Sequence, residues 1–180
     1  MSSPSFGFKS FSKSLYTYIN SNYPPSISRY KVNVDGAVFA SQKSVGTVFA
    51  SQKSVGVGAL SRDSYGQVVA AISKKINAPL GPLEAEVKAW EEGVKFAREV
   101  GVYDFTLEGD SLVVFNALRG LSNPPAAVES VIRGVLMACG SCYRVDFSHI
   151  KRQGNRSAHF LAKHALGIVD FETWMESLLS

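Results

Sequence analysis

The sequence lacks both a long apolar run and a rich supply of cysteine. Cys139 and Cys142 are the only cysteines among its 180 residues. Two thiols are too few for a structural zinc site, and we expect half-buried thiols where a helix meets a strand. Reduced thiols are typical of intracellular proteins, so we expect an intracellular compartment. The first 29 residues have few arginines for a transit peptide, so we expect the cytoplasm or nucleus rather than an organelle. No apolar stretch approaches the roughly 20 residues of a membrane-spanning helix, and we expect no membrane contact.

Acidic residues are absent from the first 34 residues. The basic residues Lys9, Lys13, Arg29 and Lys31 give this part a charge of +4, and from Asp35 onward 15 basic and 15 acidic residues cancel. The pI of about 9.1 is therefore weak evidence for a nucleic-acid groove. Residues 1–29 lack the apolar core of a secretory signal and have few arginines for a transit peptide, so we expect a disordered or linker-like leader.

A perfect internal duplication follows the leader. The sequence VFASQKSVG begins at Val38 and again at Val48, which divides the segment into copies 38–47 and 48–57. Two copies are too few for a solenoid, which needs about three repeats. We interpret the duplication as extra loop between two strands. Its origin is either a recent local duplication or an error in the transcript.

Strand patterns come first along the chain, and helix patterns follow. Period-two alternation and turn signals predict strands at 30–38, 55–62, 67–75, 103–108 and 143–150. Helical spacing predicts helices at 83–100, 111–118, 128–137 and 155–166. This order predicts one α/β domain, 30–167, with a mixed sheet and helices on its faces. Residues 168–180 are predicted to form a C-terminal amphipathic helix, because Phe171, Trp174, Met175 and Leu178 have helical spacing.

Three carboxylates occupy informative positions. Asp35 ends the first strand, and alone it is typical of an ordinary strand end. Asp110 follows the strand 103–108, where it also fits a helix N-cap. Glu86 lies to one side of the apolar stripe of its helix, beside Ala89 and Gly93, whose small size leaves room for an approaching group. We expect the three to converge.

Converging acids repel one another unless protons or cations neutralise them. Oxygen ligands of this kind suit Mg²⁺ or Mn²⁺. Two such ions about 3.5–4 Å apart can activate a water and stabilise the leaving oxygen of a phosphodiester. The acids therefore point to metal-dependent phosphodiester chemistry.

Five segments in order carry a family resemblance. They are YKVNVDGA (30–37), GVGALSRDSYGQVV (56–69), LEAEVKAWEEG (83–93), FTLEGDSLVVFNAL (105–118) and SHIKRQGNRSAHFLAKHA (148–165). They resemble type 1 ribonuclease H, and most closely the plant domains related to retrotransposon reverse transcriptases. The resemblance implies a five-stranded ribonuclease H-like sheet. It also implies an endonuclease that uses two Mg²⁺ (or Mn²⁺) ions to cut the RNA strand of RNA–DNA hybrids.

The resemblance assigns metal binding to Asp35, Glu86 and Asp110, while Glu84 falls outside the motif. Many members carry a fourth acid on the final helix, and His159 stands in its place here. Some members have a mobile His in the loop before that helix, and the loop 151–154 has none. His149, which precedes the loop, is expected to be structural. We therefore list His159 as a catalytic candidate and expect reduced activity. The alternative is a nucleic-acid-binding module of retroelement origin with weak or no cleavage.

The last helix also carries a basic stripe. Arg156, His159 and Lys163 recur at spacings of three and four residues. We expect a monomer that binds the hybrid by groove shape and phosphates rather than by base sequence. The candidate nucleic-acid contacts are Lys151, Arg152, Asn155, Arg156 and Lys163. The alternative is an ordinary solvated helix face.

Overall fold

The computed structural model describes residues 8–9, 29–39 and 53–176. These residues form one seven-stranded mixed sheet with helices packed against it. The strands of the sheet are numbered along the chain. Their order in the sheet is β1-β7-β4-β3-β2-β5-β6. Strands β2, β5 and β6 run parallel to one another, and β2, β3, β4 and β7 pair antiparallel in turn. The strands are β1 (Phe8–Lys9), β2 (Tyr30–Phe39), β3 (Ser54–Arg62), β4 (Val68–Ile76), β5 (Asp104–Gly109), β6 (Arg144–His149) and β7 (Phe171–Met175).

Helices cover both faces of the sheet, as the α/β prediction requires. They are α1 (Pro82–Glu99), α2 (Leu112–Leu118), α3 (Glu129–Cys139) and α4 (Arg156–His164). The apolar stripe of α1 packs against the face of the sheet that carries Val32 and Val34. Helix α4 covers the other face, where Leu161 packs with Leu60 of β3. The predicted order of five strands and four helices is confirmed, and β1 and β7 extend the sheet.

Helix α4 lies directly on the backbone of β3. A Cβ atom on Gly58 would stand 2.2 Å from the carbonyl oxygen of Ala158, which is closer than a non-bonded carbon and oxygen can approach. The hydroxyl of Ser73 in β4 donates a hydrogen bond to the carbonyl oxygen of Leu161 (2.8 Å). Because Gly58 pairs with Asp35 across the β2–β3 ladder, this contact sets α4 beside Asp35.

The C-terminal helix predicted for 168–180 is wrong. Residues 171–175 form β7, which pairs with the edge of β4, while residues 177–180 lie outside the described part of the chain. Two flanking hydrogen bonds extend the pairing, from Lys75 N–H to Asp170 O (2.6 Å) and from Glu176 N–H to Val69 O (3.0 Å). The helical spacing of the side chains predicted a helix because it carries no information about the backbone. The edge of β4 offers backbone hydrogen-bond partners, and residues 171–175 pair with it as a strand.

The leader is structured in one place where a linker was expected. Phe8–Lys9 form β1, which pairs parallel with β7, and Lys9 contacts Glu172 through its ammonium group (2.5 Å). The predictions for 1–7 and 10–28 lie outside the described residues. Cys139 and Cys142 are half-buried free thiols at the end of α3, as expected. No helix in the described part of the chain is long and apolar enough to span a membrane.

The duplicated segment is not entirely loop. Its first two residues belong to β2 and its last ones to β3, where Val38 pairs with Val55 and Phe39 with Ser54. Residues 40–52 lie outside the description. The second copy continues into β3 because the residue that follows it is Gly58. The residue that follows the first copy is Val48. A valine in the place of Gly58 would collide with Ala158 as any Cβ would.

Deleting residues 38–47 should leave the fold intact. Val48 and Phe49 then take the places of the identical Val38 and Phe39. The connection shortens from fourteen residues (40–53) to four (50–53). Loop closure becomes easier by about 1 kcal/mol, so we expect a melting temperature that is unchanged or a few degrees higher. Gly58→Val is the contrast, and it should melt well below wild type. A large loss of stability in the deletion would show that the second copy cannot replace the first.

Candidate metal centre

Three carboxylates meet where the parallel pairing of β2 with β5 stops. Asp35 was expected to end its strand, but β2 continues to Phe39 because it stays paired with β3. Asp35 lies on β2, Asp110 directly follows β5, and Glu86 lies in the second turn of α1. Each offers an oxygen, and these oxygens lie within 4.8 Å of one another. Asn33 of β2 pairs with Glu108 of β5, so the acids two residues further along each strand come side by side. The expected convergence of the three acids is thus present in the fold.

Gly36 lets Glu86 come close to Asp35. A Cβ atom at Gly36 would stand 2.5 Å from the carbonyl oxygen of Ala85, so only glycine lets α1 approach β2 this closely. The backbone N–H of Gly36 also donates to the Glu86 carboxylate, which offsets part of the rise in the pKa of that acid caused by burial and by Asp110. Glycine after the first acid is therefore required by the packing.

The small residues beside Glu86 serve packing rather than a ligand. A Cβ atom on Gly93 would stand 2.3 Å from Cγ1 of Val34, and Ala89 is fully buried. The space that the sequence suggested for an approaching group is filled by β2. The position of Glu86 was predicted correctly, although the reason given from its small neighbours was wrong.

The site is electrostatically costly without a cation. Asp35 is fully buried, and burial, followed by the charges of Glu86 and Asp110, raises its pKa to about 9. Burial and Asp110 raise the pKa of Glu86 to about 7. Asp35 Oδ1 and Glu86 Oε2 are buried without a hydrogen-bond partner. Buried, unpaired carboxylate oxygens fit the ligand preference of a hard divalent cation.

Asp110 does not cap a helix. Ser111 is the residue at the N-cap of α2, and no side chain makes a capping hydrogen bond there. The alternative reading of Asp110 as an ordinary cap is therefore wrong. Its carboxylate instead contacts Arg152, whose Nη1 donates to Oδ2 over 3.1 Å.

His159 lies where the fourth acid was expected. Its Nδ1 stands 2.7 Å from Oδ2 of Asp35. Burial, then the charges of Arg152 and Lys163, lower the pKa of this imidazole, so the ring is neutral at neutral pH. We assign the Nδ1–H tautomer, which donates to the Asp35 carboxylate and leaves Nε2 to accept from Arg152 Nη2 (3.3 Å).

Two of the predicted nucleic-acid contacts lie elsewhere. The Asn155 side chain is only 1% exposed, and its amide donates to the carbonyl oxygen of Val34 (2.8 Å). Its role as a nucleic-acid contact is therefore wrong, because it anchors the start of α4 to β2. Arg152 contacts the acids, a position that no sequence pattern indicated. The remaining candidates, Lys151, Arg156 and Lys163, are exposed.

His149 is closer to the acids than its expected structural role implied. Its Nε2 lies 3.3 Å from the backbone oxygen of Asp110, and its ring packs near Phe115 at a centroid distance of 6.1 Å. Ser148 beside it donates to Glu108 (3.1 Å) in the polar network under the site. His149 thus borders the acid cluster at the end of β6 without joining it.

Solved structures with the same fold include ribonucleases H. Ribonuclease H1 from the archaeon Halobacterium salinarum shares 24% identity at a TM-score of 0.65, covering 77% of this chain and 98% of its own. The N-terminal ribonuclease H domain of a Mycobacterium tuberculosis protein shares 19% identity at a TM-score of 0.62, covering 78% and 94%. A compost-derived metagenomic ribonuclease H1, solved with an RNA/DNA hybrid, shares 16% identity at 0.65, covering 77% and 97%.

A family model gives the more direct assignment. A search of curated proteins found no match. The model described as reverse transcriptase-like matches residues 43–165, which is more than half of the chain. The match includes Glu86 and Asp110 and begins after Asp35. The chain therefore belongs to the reverse transcriptase-like family, with the fold of ribonuclease H.

Proposed function

We propose that this protein is a metal-dependent endonuclease that hydrolyses the RNA strand of RNA–DNA hybrids. The convergence of Asp35, Glu86 and Asp110, with two buried carboxylate oxygens that lack hydrogen-bond partners, carries the proposal. Family membership and a ribonuclease H neighbour solved with an RNA/DNA hybrid support it.

The three acids would hold the divalent ions. Two ions, Mg²⁺ or Mn²⁺, would activate a water and stabilise the leaving oxygen of the phosphodiester. Asp35 would offer Oδ1 and Glu86 would offer Oε2, neither of which accepts a hydrogen bond, and Asp110 would offer the third carboxylate. The Gly36 N–H group orients Glu86, while the Nδ1–H of His159 orients Asp35.

The hybrid would be held beside these acids by exposed basic side chains. Lys151, Arg156 and Lys163 lie on or just before α4, the helix that carries His159. Contacts of this kind neutralise phosphates without reading base sequence. Such a nuclease would tolerate many sequences, and its affinity would fall as salt concentration rises.

One observation favours the weaker alternative, a hybrid-binding module that cuts slowly. Arg152 and His159 contact two of the three acids. Arg152 is a cation, and His159 places a neutral ring where many ribonucleases H carry a fourth acid. Both reduce the negative charge that attracts divalent ions. The rate at which wild type cleaves a labelled RNA–DNA hybrid separates the two alternatives.

Asp110→Asn should abolish cleavage of a labelled RNA–DNA hybrid in Mg²⁺. The amide lacks the charge that a divalent ion requires, so we expect a fall of more than a hundredfold, measured by gel electrophoresis of the cut strand. Wild type should lose the same activity in chelator. Glu84→Gln is the matched control on α1, because Glu84 only accepts a hydrogen bond from the backbone N–H of Gly81 (2.6 Å). Equal rates for Asp110→Asn and wild type would refute the assignment of the site.

Metal-free protein should lose stability as pH rises from about 4 to about 9. The folded pKa values of Asp35 (about 9) and Glu86 (about 7) lie above those of the unfolded chain. The folded state therefore binds more protons across this window, and its advantage is complete only below the unfolded values. Asp35→Asn should flatten the dependence in thermal melts with chelator.

The same melts test the metal. At pH 8, Mg²⁺ or Mn²⁺ should raise the melting temperature of wild type, because the ion neutralises the buried acids. Asp35→Asn should respond much less, although it should melt above wild type in chelator. An identical pH dependence in both proteins would show that Asp35 does not carry the buried charge.

His159→Asp should raise the cleavage rate in Mg²⁺. A carboxylate is a harder ligand than imidazole and suits Mg²⁺ better. We therefore expect wild type to favour Mn²⁺ over Mg²⁺ and the Asp variant to lose much of that preference. His159→Asn is the control, since its amide can still donate to Asp35 but adds no charge. If the Asp variant cuts no faster and binds hybrid more weakly with a shallower salt dependence, His159 is a phosphate contact instead.

A further inference from the structure

Arg152 inserts a fixed positive charge into the acid cluster. Its Nη1 donates to Asp110 Oδ2 over 3.1 Å and lies 3.8 Å from Asp35 Oδ1. Its Nη2 lies 3.0 and 3.3 Å from the two ring nitrogens of His159. The guanidinium thus touches two of the three acids and the residue in the fourth position.

The backbone around Arg152 holds it in this place. Arg152–Asn155 form a short 3-10 turn, in which the N–H of Gly154 donates to the carbonyl oxygen of Lys151 (2.8 Å). The buried amide of Asn155 ties the end of this turn to Val34, the residue before Asp35. The start of the Arg152 side chain is therefore fixed close to the acids.

The outer part of the side chain remains accessible. The Arg152 side chain is 59% exposed, whereas those of Asp35 and Asp110 are 0% and 7% exposed. The contact offsets part of the cost of the two buried carboxylates, whereas the guanidinium itself keeps much of its contact with solvent. Replacing its partner by another anion should therefore cost little. A guanidinium that is anchored at its base and exposed at its tip can exchange one anionic partner for another.

We propose that Arg152 competes with divalent ions for the acid cluster and transfers to a phosphate of the nucleic acid when the hybrid binds. The proposal rests on the proposed function, because it names the group that links metal binding to substrate binding. Phosphate accepts two parallel hydrogen bonds from a guanidinium, as a carboxylate does. Transfer to the phosphate would free Asp110 for metal, so that the nucleic acid and the ion strengthen each other's binding.

The competition is measured without any cleavage. Calorimetric titration of Mn²⁺ into the full chain, without nucleic acid, compares wild type with Arg152→Gln, Arg152→Lys and Lys151→Gln. Removing a charge this close to the ion should tighten Mn²⁺ binding on the order of tenfold for Arg152→Gln. Lys151→Gln removes the same charge one residue away and should change the affinity much less. Arg152→Lys keeps a cation and should stay near wild type.

The transfer to phosphate is measured in chelator, where no cutting occurs. Fluorescence anisotropy of a labelled RNA–DNA hybrid, recorded over a range of salt concentrations, gives the number of phosphate contacts. Arg152→Gln should bind the hybrid more weakly and lower the salt slope by about one. Arg152→Lys should recover most of the slope, since an ammonium also neutralises a phosphate.

The outcomes separate this proposal from the proposed function. Unchanged or weaker Mn²⁺ binding by Arg152→Gln overturns the competition, even if wild type cuts hybrids well. An unchanged salt slope overturns the transfer. If Arg152→Gln binds Mn²⁺ tightly and neither protein cuts a hybrid, the nuclease function fails while the competition stands. If neither protein binds Mn²⁺, both proposals fail.

Discussion

The burial of Asp35 is the constraint on which the arrangement around the site depends. Its carboxylate has no exposed surface, and helices approach it from both faces of the sheet. On one side Gly36 admits α1, and on the other Gly58 admits α4. A buried carboxylate is costly unless protons, hydrogen bonds or cations compensate it. Each neighbour of Asp35 can therefore be understood by the compensation it supplies.

The compensating groups differ in how firmly they are held. The pKa of about 9 means that Asp35 can keep a proton at neutral pH when no metal ion is bound. His159 donates a hydrogen bond, and Arg152 adds a positive charge at 3.8 Å. A proton and an exposed arginine can both be displaced, whereas the hydrogen bond from α4 is part of the packing. The site thus combines exchangeable neutralising groups with a fixed scaffold.

The sequence predicted the scaffold well because its signals are local. Apolar and polar residues alternate along β2 because its two faces meet different helices, although both faces are buried from Val32 to Asp35. The 3.6-residue period of α1 follows its buried stripe, and both elements formed within two residues of their expected bounds. Asp35, Glu86 and Asp110 were found because the motifs place them at fixed positions along a strand, a helix and a strand end. Strands β2 and β5 pair in parallel up to Asn33 and Glu108, so the acids two residues further along meet.

What the sequence missed depends on partners that are distant along the chain. Strand β7 exists because β4 has a free edge, and the helical spacing of its side chains carries no information about that edge. Asn155 looked like a polar surface residue, yet its partner is the backbone of Val34, which lies 121 positions earlier. Arg152 looked like one more exposed basic residue beside the stripe on the last helix. Its position among the acids follows from the anchoring of the turn by Asn155, which no local pattern records.

The replacement of a fourth acid by His159 is consistent with the position of Arg152. Four carboxylates around one buried point would require more positive charge than one arginine supplies. With three acids, one guanidinium and the proton on Asp35 leave about one negative charge in the metal-free site. A neutral imidazole adds no further repulsion and supplies a hydrogen bond to the most buried acid. The fold can therefore tolerate this cluster before any ion binds, and the cost is a weaker attraction for the ion itself.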